Sequence, residues 1–297
     1  MIALLLVASI ALCGFEEAWL NAKINARTWT VCDYDECPFK DLDEVKAMLI
    51  QPDEMIAFYS TFESDKTYRK ISVPDNYDPR TTDKAHCYHP IRNQMKCGSC
   101  WAFAASETLS DRYCLLKNID VVLSPQDLVS CDTILNKGCE GGNPLAAWEY
   151  AAISGIVSDA CYPYVSGNGT TGSCEIKSKA CVNPAEKFLK YKSSQPTSLS
   201  DKTKIKEALL VGSVEASMMV YDDFPTYKGG IYVKTSSAQF LGGHAVKIVG
   251  YGIDEKTSIS YWIVANSWDT SFGENGYFRI KMAECSIDSA VTYANPK

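Results

Sequence analysis

Histidine is scarce in this sequence, with only three in 297 residues: His86, His89 and His244. Basic residues are also in the minority, because 29 Lys and Arg face 36 Asp and Glu and leave a net charge of -7. That charge argues against nucleic acid or an anionic membrane surface as the main partner. Beyond residue 12, no apolar stretch approaches the roughly 20 residues of a transmembrane helix, so we expect no membrane span.

The first 12 residues are almost entirely apolar, and Cys13 and Gly14 follow them. This stretch is too short to span a bilayer and fits a signal peptide, although no Lys or Arg precedes its apolar core. We expect cleavage after Cys13 or Gly14, which makes residues 1–14 the signal peptide. Export agrees with the 13 cysteines, a count typical of a disulfide-linked protein in an oxidising compartment.

Residues 15–72 form a distinct segment. Amphipathic helices are predicted at 16–27 and 41–50, and Cys32 and Cys37 between them could close a small loop. Two short helices with few apolar residues could hardly fold alone, so we expect this segment to lie on the body of the protein.

From residue 73 onward, a turn-rich stretch gives way to a series of predicted helices. A long, mostly apolar helix is predicted after Cys100, with apolar side chains at each turn as far as Leu116. Ser124-Pro125 and Asn143-Pro144 each begin a further helix, because Ser or Asn can cap it and proline fits its first position. Residues 155–183 are rich in turn formers and hold three cysteines, which indicates a disulfide-linked loop region.

The last third of the chain has the pattern of a β subdomain. A helix capped by Ser200-Asp201 is predicted to about residue 211, and short strand-like runs follow at 214–220, 231–234, 245–251, 261–265 and 277–282. We therefore predict an α+β fold with a helical subdomain first and an antiparallel sheet or barrel second. Catalytic clefts often lie at such a boundary.

The chemistry of the chain centres on residues 94–103, where a cysteine stands at the predicted start of the long helix. The reactive form of cysteine is the thiolate, and the positive end of a helix dipole lowers the free energy of forming it. Cys97-Gly98-Ser99-Cys100-Trp101 matches the local pattern around the nucleophile of papain and cathepsin proteases. Gln94 is placed to donate its side-chain N–H to a developing oxyanion, beside the backbone N–H of Cys100.

Cys100 needs a general base, and His244 is the candidate. It follows Gly242-Gly243, whose lack of side chains would let a ligand approach the backbone, and it opens a predicted strand. Asn266 can orient the imidazole, and Trp268 can shield their hydrogen bond from water. The separation of His244 from Cys100 lies in the range typical of this protease class, about 130 to 150 residues, whereas Asn266 lies somewhat beyond it. We interpret His86 and His89 as surface or packing residues.

Together these motifs resemble the papain family of cysteine proteases, and specifically its cathepsin B-like branch. The resemblance covers the whole chain, including a short propeptide element at 24–29 and stretches at 109–114 and 220–224. The principal blocks are residues 94–103, Cys139-Glu140-Gly141-Gly142, Gly242-Gly243-His244-Ala245, Asn266-Ser267-Trp268 and residues 273–278.

The resemblance implies a papain-like fold of two subdomains, a helical one at about 95–185 and an antiparallel, barrel-like β one at about 186–285. It also implies an inhibitory propeptide at 15–72 that runs backward through the cleft, and a mature peptidase domain at 73–297. The implied partners are protein and peptide substrates, the chain's own propeptide and cystatin-like inhibitors, with no cofactor or metal. The implied state is a monomer that is secreted or held in a lysosome-like or vesicular compartment.

The resemblance further implies roles for individual residues. Cys100, His244, Asn266 and Gln94 would be catalytic, and the substrate would contact Gly98, Gly141, Gly142, Gly243, Trp268 and Ala290. The implied disulfides are Cys87–Cys114, Cys97–Cys139, Cys131–Cys174 and Cys161–Cys181, which leaves Cys285 unpaired. Asn168 begins a glycosylation sequon, which is weak as a signal by itself.

Two departures from cathepsin B carry specific expectations. That enzyme has an occluding loop with two histidines that bind the C-terminal carboxylate of the substrate, but the segment between Cys161 and Cys174 is short and has no histidine. We therefore expect an endopeptidase without dipeptidyl carboxypeptidase activity. Ala290 stands where cathepsin B has an acidic residue, so we expect an apolar side chain two residues before the scissile bond. Phe272 replaces a family tryptophan, which we interpret as a packing change.

Three other functions are compatible with parts of the sequence: a redox enzyme, a zinc-binding protein and an inactive homologue. Cys97-Gly98-Ser99-Cys100 could be a redox motif, but the βαβ context of thioredoxin-like proteins is absent. Zinc binding by the same motif lacks a second Cys/His pair of matching spacing. A catalytically dead homologue that only binds other proteins is disfavoured, because all four catalytic positions are intact.

Overall fold

The computed structural model describes residues 14–64 and 72–297, and all of the predicted signal peptide at 1–14 except Gly14 lies outside the described residues. The helices in these ranges are α1 (Gly14–Asn25), α2 (Leu42–Ala47), α3 (Pro52–Thr61), α4 (Cys100–Lys117), α5 (Pro125–Cys131), α6 (Pro144–Ile153) and α7 (Lys202–Leu209). The strands are β1 (Trp29–Val31), β2 (Thr197–Leu199), β3 (Val214–Tyr221), β4 (Tyr227–Tyr232), β5 (Phe240–Ile253), β6 (Ser260–Ala265), β7 (Tyr277–Lys281) and β8 (Val291–Tyr293). None of the described helices is both long and apolar enough to cross a membrane.

The helical part is built around α4, which is buried from Cys100 to Cys114. Arg112 is a buried polar residue of this helix, and its guanidinium donates to the carbonyl oxygens of Ser213 and Gly212 at 2.8 and 3.1 Å. Asn118, in the left-handed conformation at φ 55°, ends the helix. Local caps of the kind predicted from the sequence begin α5 and α6, since Ser124 accepts from the N–H of Asp127 and Asn143 from that of Leu145.

The β part is one eight-stranded sheet in the order β1-β4-β7-β6-β5-β3-β8-β2. All its strand pairs are antiparallel except β4 and β7, which run parallel. The 14-residue strand β5 pairs with β3 and β6 and packs against α4, and it places His244 opposite Met218 of β3. Helices and sheet therefore meet along the line between α4 and β5, where the candidate site lies.

Several sequence-based boundaries were wrong. Strand β5 begins at Phe240, so His244 lies inside the strand and does not open it. The expected helix at 41–50 ends at Ala47, and Ile50 instead forms a β-bridge with Gly243. Helix α3 was not predicted, although Pro52 at its first turn fits a new helix start and disfavours helical backbone at Gln51.

Residues 14–64 lie on the body of the protein, as expected. Strand β1 adds to the edge of the sheet beside β4, and the indole N–H of Trp29 donates to the carbonyl of Val233 at 2.9 Å. Cys32 and Cys37 form the small disulfide loop. A strand of three residues is too short for a local pattern, so β1 exists because β4 supplies its partners.

The disulfides of the described chain include the pairs that the resemblance implies. They are Cys87–Cys114, Cys97–Cys139, Cys131–Cys174 and Cys161–Cys181. Cys100 and Cys285 are the unpaired cysteines within residues 14–64 and 72–297. Because Cys97 is bonded to Cys139, the motif with Cys100 cannot act as a dithiol, which removes the redox and zinc interpretations.

Candidate active site

Cys100 is the first residue of α4 and is completely buried. The start of an 18-residue helix favours the thiolate through its free N–H groups. In this form of the protein burial dominates and raises the pKa of the Cys100 thiol to about 12, although the backbone N–H groups of Ala245 and Trp101 act in the opposite direction. The thiol is therefore neutral as long as the site stays covered.

His244 lies on β5, one residue before Ala245, and its imidazole is anchored by Asn266. Nε2 of His244 lies 2.7 Å from Oδ1 of Asn266, and the same oxygen accepts the backbone N–H of Ser267 at 2.9 Å. An oxygen that acts as acceptor assigns the imidazole proton to Nε2, which leaves Nδ1 with a lone pair. Nδ1 has no hydrogen-bond partner in the described residues. Burial lowers the pKa of His244 to about 4, against the opposing effect of its bond to Asn266.

Trp268 covers the histidine, as the sequence predicted. Its ring centroid lies 4.7 Å from that of His244 with an interplanar angle of 32°, and only 2% of the residue is exposed. Phe272 packs edge-on against Trp268 at 5.2 Å and is fully buried, which fits a packing role. The imidazole–amide hydrogen bond is thus held in a dry, low-dielectric surrounding.

The side-chain amide of Gln94 is already occupied in this form. Its Nε2 donates to the carbonyl of Met48 at 2.8 Å and to that of Cys97 at 2.9 Å, while its Oε1 accepts from Oγ of Ser267 at 2.6 Å. Met48 belongs to the segment before residue 73. A carbonyl of this preceding segment therefore occupies the donor that we predicted for an oxyanion.

The same segment runs over the rest of the cleft. Ile50 and Gly243 exchange both backbone hydrogen bonds, at 2.7 and 2.8 Å. A Cβ on Gly243 would lie 2.5 Å from Cγ of Met55, and one on Gly141 would lie 3.0 Å from a carboxylate oxygen of Glu54. These glycines permit the close approach of a peptide, and Gly141, at φ 115°, also has a backbone conformation that other residues rarely adopt.

The remaining predicted contact residues also line this region. Gly98 donates its N–H to the carbonyl of Cys139 at 2.9 Å. Gly142 lies against the indole of Trp101, where a Cβ would come within 2.7 Å of the ring. Ala290 is buried in the same apolar cluster as Cys100 and two side chains of helix α3, Met55 and Phe58. His89 contacts Asp120 at 2.9 Å and Asp111 at 3.5 Å, while His86 is exposed, so neither has the environment of His244.

Sequence reasoning missed two residues, Ser267 and Tyr164, that form hydrogen bonds with Gln94 and so position it. Ser267 fixes the orientation of the Gln94 amide, and the Tyr164 hydroxyl contacts the carbonyl of Gln94 at 2.8 Å and Oγ of Ser99 at 3.0 Å. Ser267 lies inside a recognised motif, so its position was available as a signal. Tyr164 carries no such signal, because only the fold of the loop region brings it to the helix start.

Comparisons with known proteins agree with this site. Residues 73–295 match the family model described as papain family cysteine protease. The chain is 40% identical over 258 residues to cathepsin B-like cysteine proteinase 4 of Caenorhabditis elegans, covering 76% of each chain. It is 35% identical over 244 residues to cathepsin B of Dictyostelium discoideum, again with 76% of each chain covered.

Among solved structures, procathepsin B S9 from Trypanosoma congolense superimposes with a TM-score of 0.79 at 27% identity, covering 91% of this chain and 94% of that one. The family match spans most of the chain and includes Cys100, His244, Asn266 and Gln94. The chain therefore belongs to the papain family of cysteine proteases, as a cathepsin B-like member.

Proposed function

We propose that this cysteine protease is an endopeptidase made as an inactive precursor, with Cys100 as nucleophile and His244 as base. The observation that carries the proposal is the placement of Cys100 at the start of α4, with its thiol at the backbone N–H of Ala245. The residue before Ala245 on β5 is His244, whose Nε2 is bonded to Asn266. Once the cleft is open to solvent, proton transfer from the thiol to Nδ1 gives a thiolate–imidazolium pair.

The thiolate attacks the peptide carbonyl carbon and forms a tetrahedral intermediate. Its oxyanion accepts hydrogen bonds from Nε2 of Gln94 and the backbone N–H of Cys100. His244 then gives its proton to the leaving amine as the C–N bond breaks, which leaves a thioester on Cys100. Water attacks the thioester and gives its proton to His244, the C–S bond breaks, and the acid product leaves the thiolate–imidazolium pair restored.

The precursor is organised as a signal peptide at 1–14, a propeptide at 15–72 and a mature domain at 73–297. Support for the latency of the precursor comes from the carbonyl of Met48 on Gln94 and the paired backbone of Ile50 and Gly243. We expect a monomer in the secretory pathway, in a lysosome-like or vesicular compartment or secreted. An open cleft of this kind suits cystatin-like inhibitors.

The mature enzyme is expected to prefer an apolar side chain two residues before the scissile bond. Ala290 leaves that subsite without the carboxylate that a guanidinium would need, and burying an unpaired cation is costly. Fluorogenic Phe-Arg should therefore be cleaved with a kcat/KM about 10- to 100-fold higher than Arg-Arg. Comparable values for the two substrates would contradict this assignment of Ala290.

The matched variant for that experiment is Ala290→Glu. A carboxylate at the base of the subsite should improve Arg-Arg cleavage by about 10-fold through a partly buried ion pair. Cleavage of the Phe-Arg substrate by the same variant shows whether it is still folded and catalytically active.

We also expect no efficient stepwise release of C-terminal dipeptides. The segment between Cys161 and Cys174 offers no histidine to bind a terminal carboxylate, and its exposed residues Asn168–Thr170 are neutral. Mass spectrometry of a long peptide, digested with and without a C-terminal amide, tests this. Internal cleavage at equal rates in both is the expected result, whereas a ladder of dipeptides from the free-acid form alone would overturn the endopeptidase proposal.

A further inference from the structure

A cavity of about 310 Å³ lies between propeptide helix α3 and the helical subdomain. Its propeptide side includes Glu54, Met55 and Phe58, and its enzyme side includes Leu135 and Lys137. When the propeptide leaves, the enzyme side becomes an open wall of the cleft next to the Gly141-Gly142 turn. The side chains of that wall are thus available to a substrate.

Lys137 is the positively charged residue that lines the enzyme side of this cavity. Its Nζ is paired with the carboxylate of Glu54, and its backbone N–H donates to the carbonyl of Gly141 at 3.0 Å. The lysine is therefore attached by its main chain to the turn that carries the predicted substrate-binding glycines. The side chain of Lys137 is 61% exposed and the paired carboxylate 31% exposed, so the pair lies at the mouth of the cleft.

The position of Glu54 shows where an acidic group can bind in the cleft. One of its carboxylate oxygens lies 3.0 Å from the position of a Cβ on Gly141, so the propeptide places a negative charge directly over the turn. Removal of the propeptide takes this partner away from Lys137. The exposed Glu140 is the other acidic residue whose charge acts on Lys137, and it stays in the mature enzyme.

The geometry of an extended substrate indicates which of its residues lies near Lys137. Successive side chains of an extended chain point to opposite sides. If the residue two before the scissile bond points toward Ala290 in the β subdomain, the residue three before it points toward the helical wall with Leu135 and Lys137.

We infer that Lys137 selects substrates with an acidic residue three positions before the scissile bond, in the place where Glu54 stands in the precursor. This inference rests on the proposed endopeptidase function and narrows its substrates to peptides with an acidic residue followed by an apolar one. Lys137 acts here as a specificity determinant and takes no part in the bond-breaking step.

The test compares three fluorogenic tripeptides, Glu-Phe-Arg, Gln-Phe-Arg and Lys-Phe-Arg, with mature enzyme at pH 6 and low ionic strength. An exposed ion pair is worth little, so we expect kcat/KM for the Glu peptide to exceed that for the Lys peptide by about fivefold, with Gln between them. At 1 M salt the ratio should fall below about twofold because of screening. Lys137→Glu should reverse the order, so that kcat/KM for the Lys peptide exceeds that for the Glu peptide, with Gln again between them.

The matched control is Lys187→Glu, which makes the same change in net charge at an exposed lysine that does not line the cavity. This control should keep the wild-type order. Equal cleavage of the Glu and Lys peptides, with the Gln peptide cleaved well, would overturn the inference and leave the endopeptidase proposal standing. A Lys137→Glu variant that weakens propeptide inhibition without changing the order would also overturn it. Failure to cleave even the Gln peptide would overturn the proposed function, and the inference with it.

Discussion

Replacing Cys100 with alanine will lower the kcat/KM of the mature enzyme by about 10⁵- to 10⁶-fold, the loss typical of removing a covalent nucleophile. The physical reason is that no other group can form the thioester. His244 is a base without a nucleophile in the variant, and Gln94 can only stabilise an oxyanion that no longer forms. Hydrolysis of an apolar dipeptide substrate, normalised to folded protein, measures the loss.

The matched control is Cys285→Ala, which removes the other unpaired cysteine of the described chain. Cys285 is buried, and burial raises the pKa of its thiol far above the usual range, so it is a poor nucleophile. An epoxide inhibitor of cysteine proteases should label this variant once and leave Cys100→Ala unlabelled. Labelling of Cys100→Ala, or its retention of activity, would contradict the assignment of the nucleophile.

The second large effect concerns the thiol of the precursor. Cys100 in the precursor should react with iodoacetamide at pH 7 at least about 10³-fold more slowly than in the mature enzyme. With a pKa of about 12 for the covered thiol, the thiolate fraction at pH 7 is only about 10⁻⁵. Opening the cleft restores solvent to both groups and lets Nδ1 of His244 take the proton.

The pH dependence has a definite sign in each form. Since burial raises the pKa of Cys100 to about 12 and lowers that of His244 to about 4, both groups are neutral between these values in the precursor. Its alkylation rate should rise about tenfold per pH unit from pH 5 to 9, because the thiolate fraction does. The mature enzyme should show a nearly level rate across neutral pH. The alkylation rates should be measured in Cys285→Ala protein, in which Cys100 is the thiol that reacts. Equal rates in the precursor and the mature enzyme would contradict this account of latency.

The contacts that would keep the precursor inactive involve the same enzyme groups that we propose for substrate recognition. The carbonyl of Met48 occupies the amide of Gln94, the backbone of Ile50 is paired with Gly243, and Glu54 stands by Lys137. Each of these enzyme groups is one that a substrate is proposed to use. We therefore expect that removal of the proposed propeptide both restores ionisation at Cys100 and opens the subsites to substrate.

Much of the fold was readable from local signals. Ser124-Pro125 and Asn143-Pro144 predicted the starts of α5 and α6 because a helix cap acts within three residues. The start of α4 near Cys100 was predicted from a different local signal, the apolar side chains that recur at each turn after it. By contrast, β1 and the bridge at Ile50 depend on partners about 200 residues away, so their own sequence carries almost no signal.

Short motifs suffice to predict the reacting groups, because a nucleophile, a base and an orienting amide each demand a particular side chain. Cys100, His244, Asn266 and Gln94 were all proposed on that basis. Their state was not, since protonation depends on how much water reaches them. Only the packed chain shows that residues 48–55 cover the site, which keeps the Cys100 thiol and the His244 imidazole neutral. Desolvation is a property of contacts between distant segments, and no local pattern encodes it.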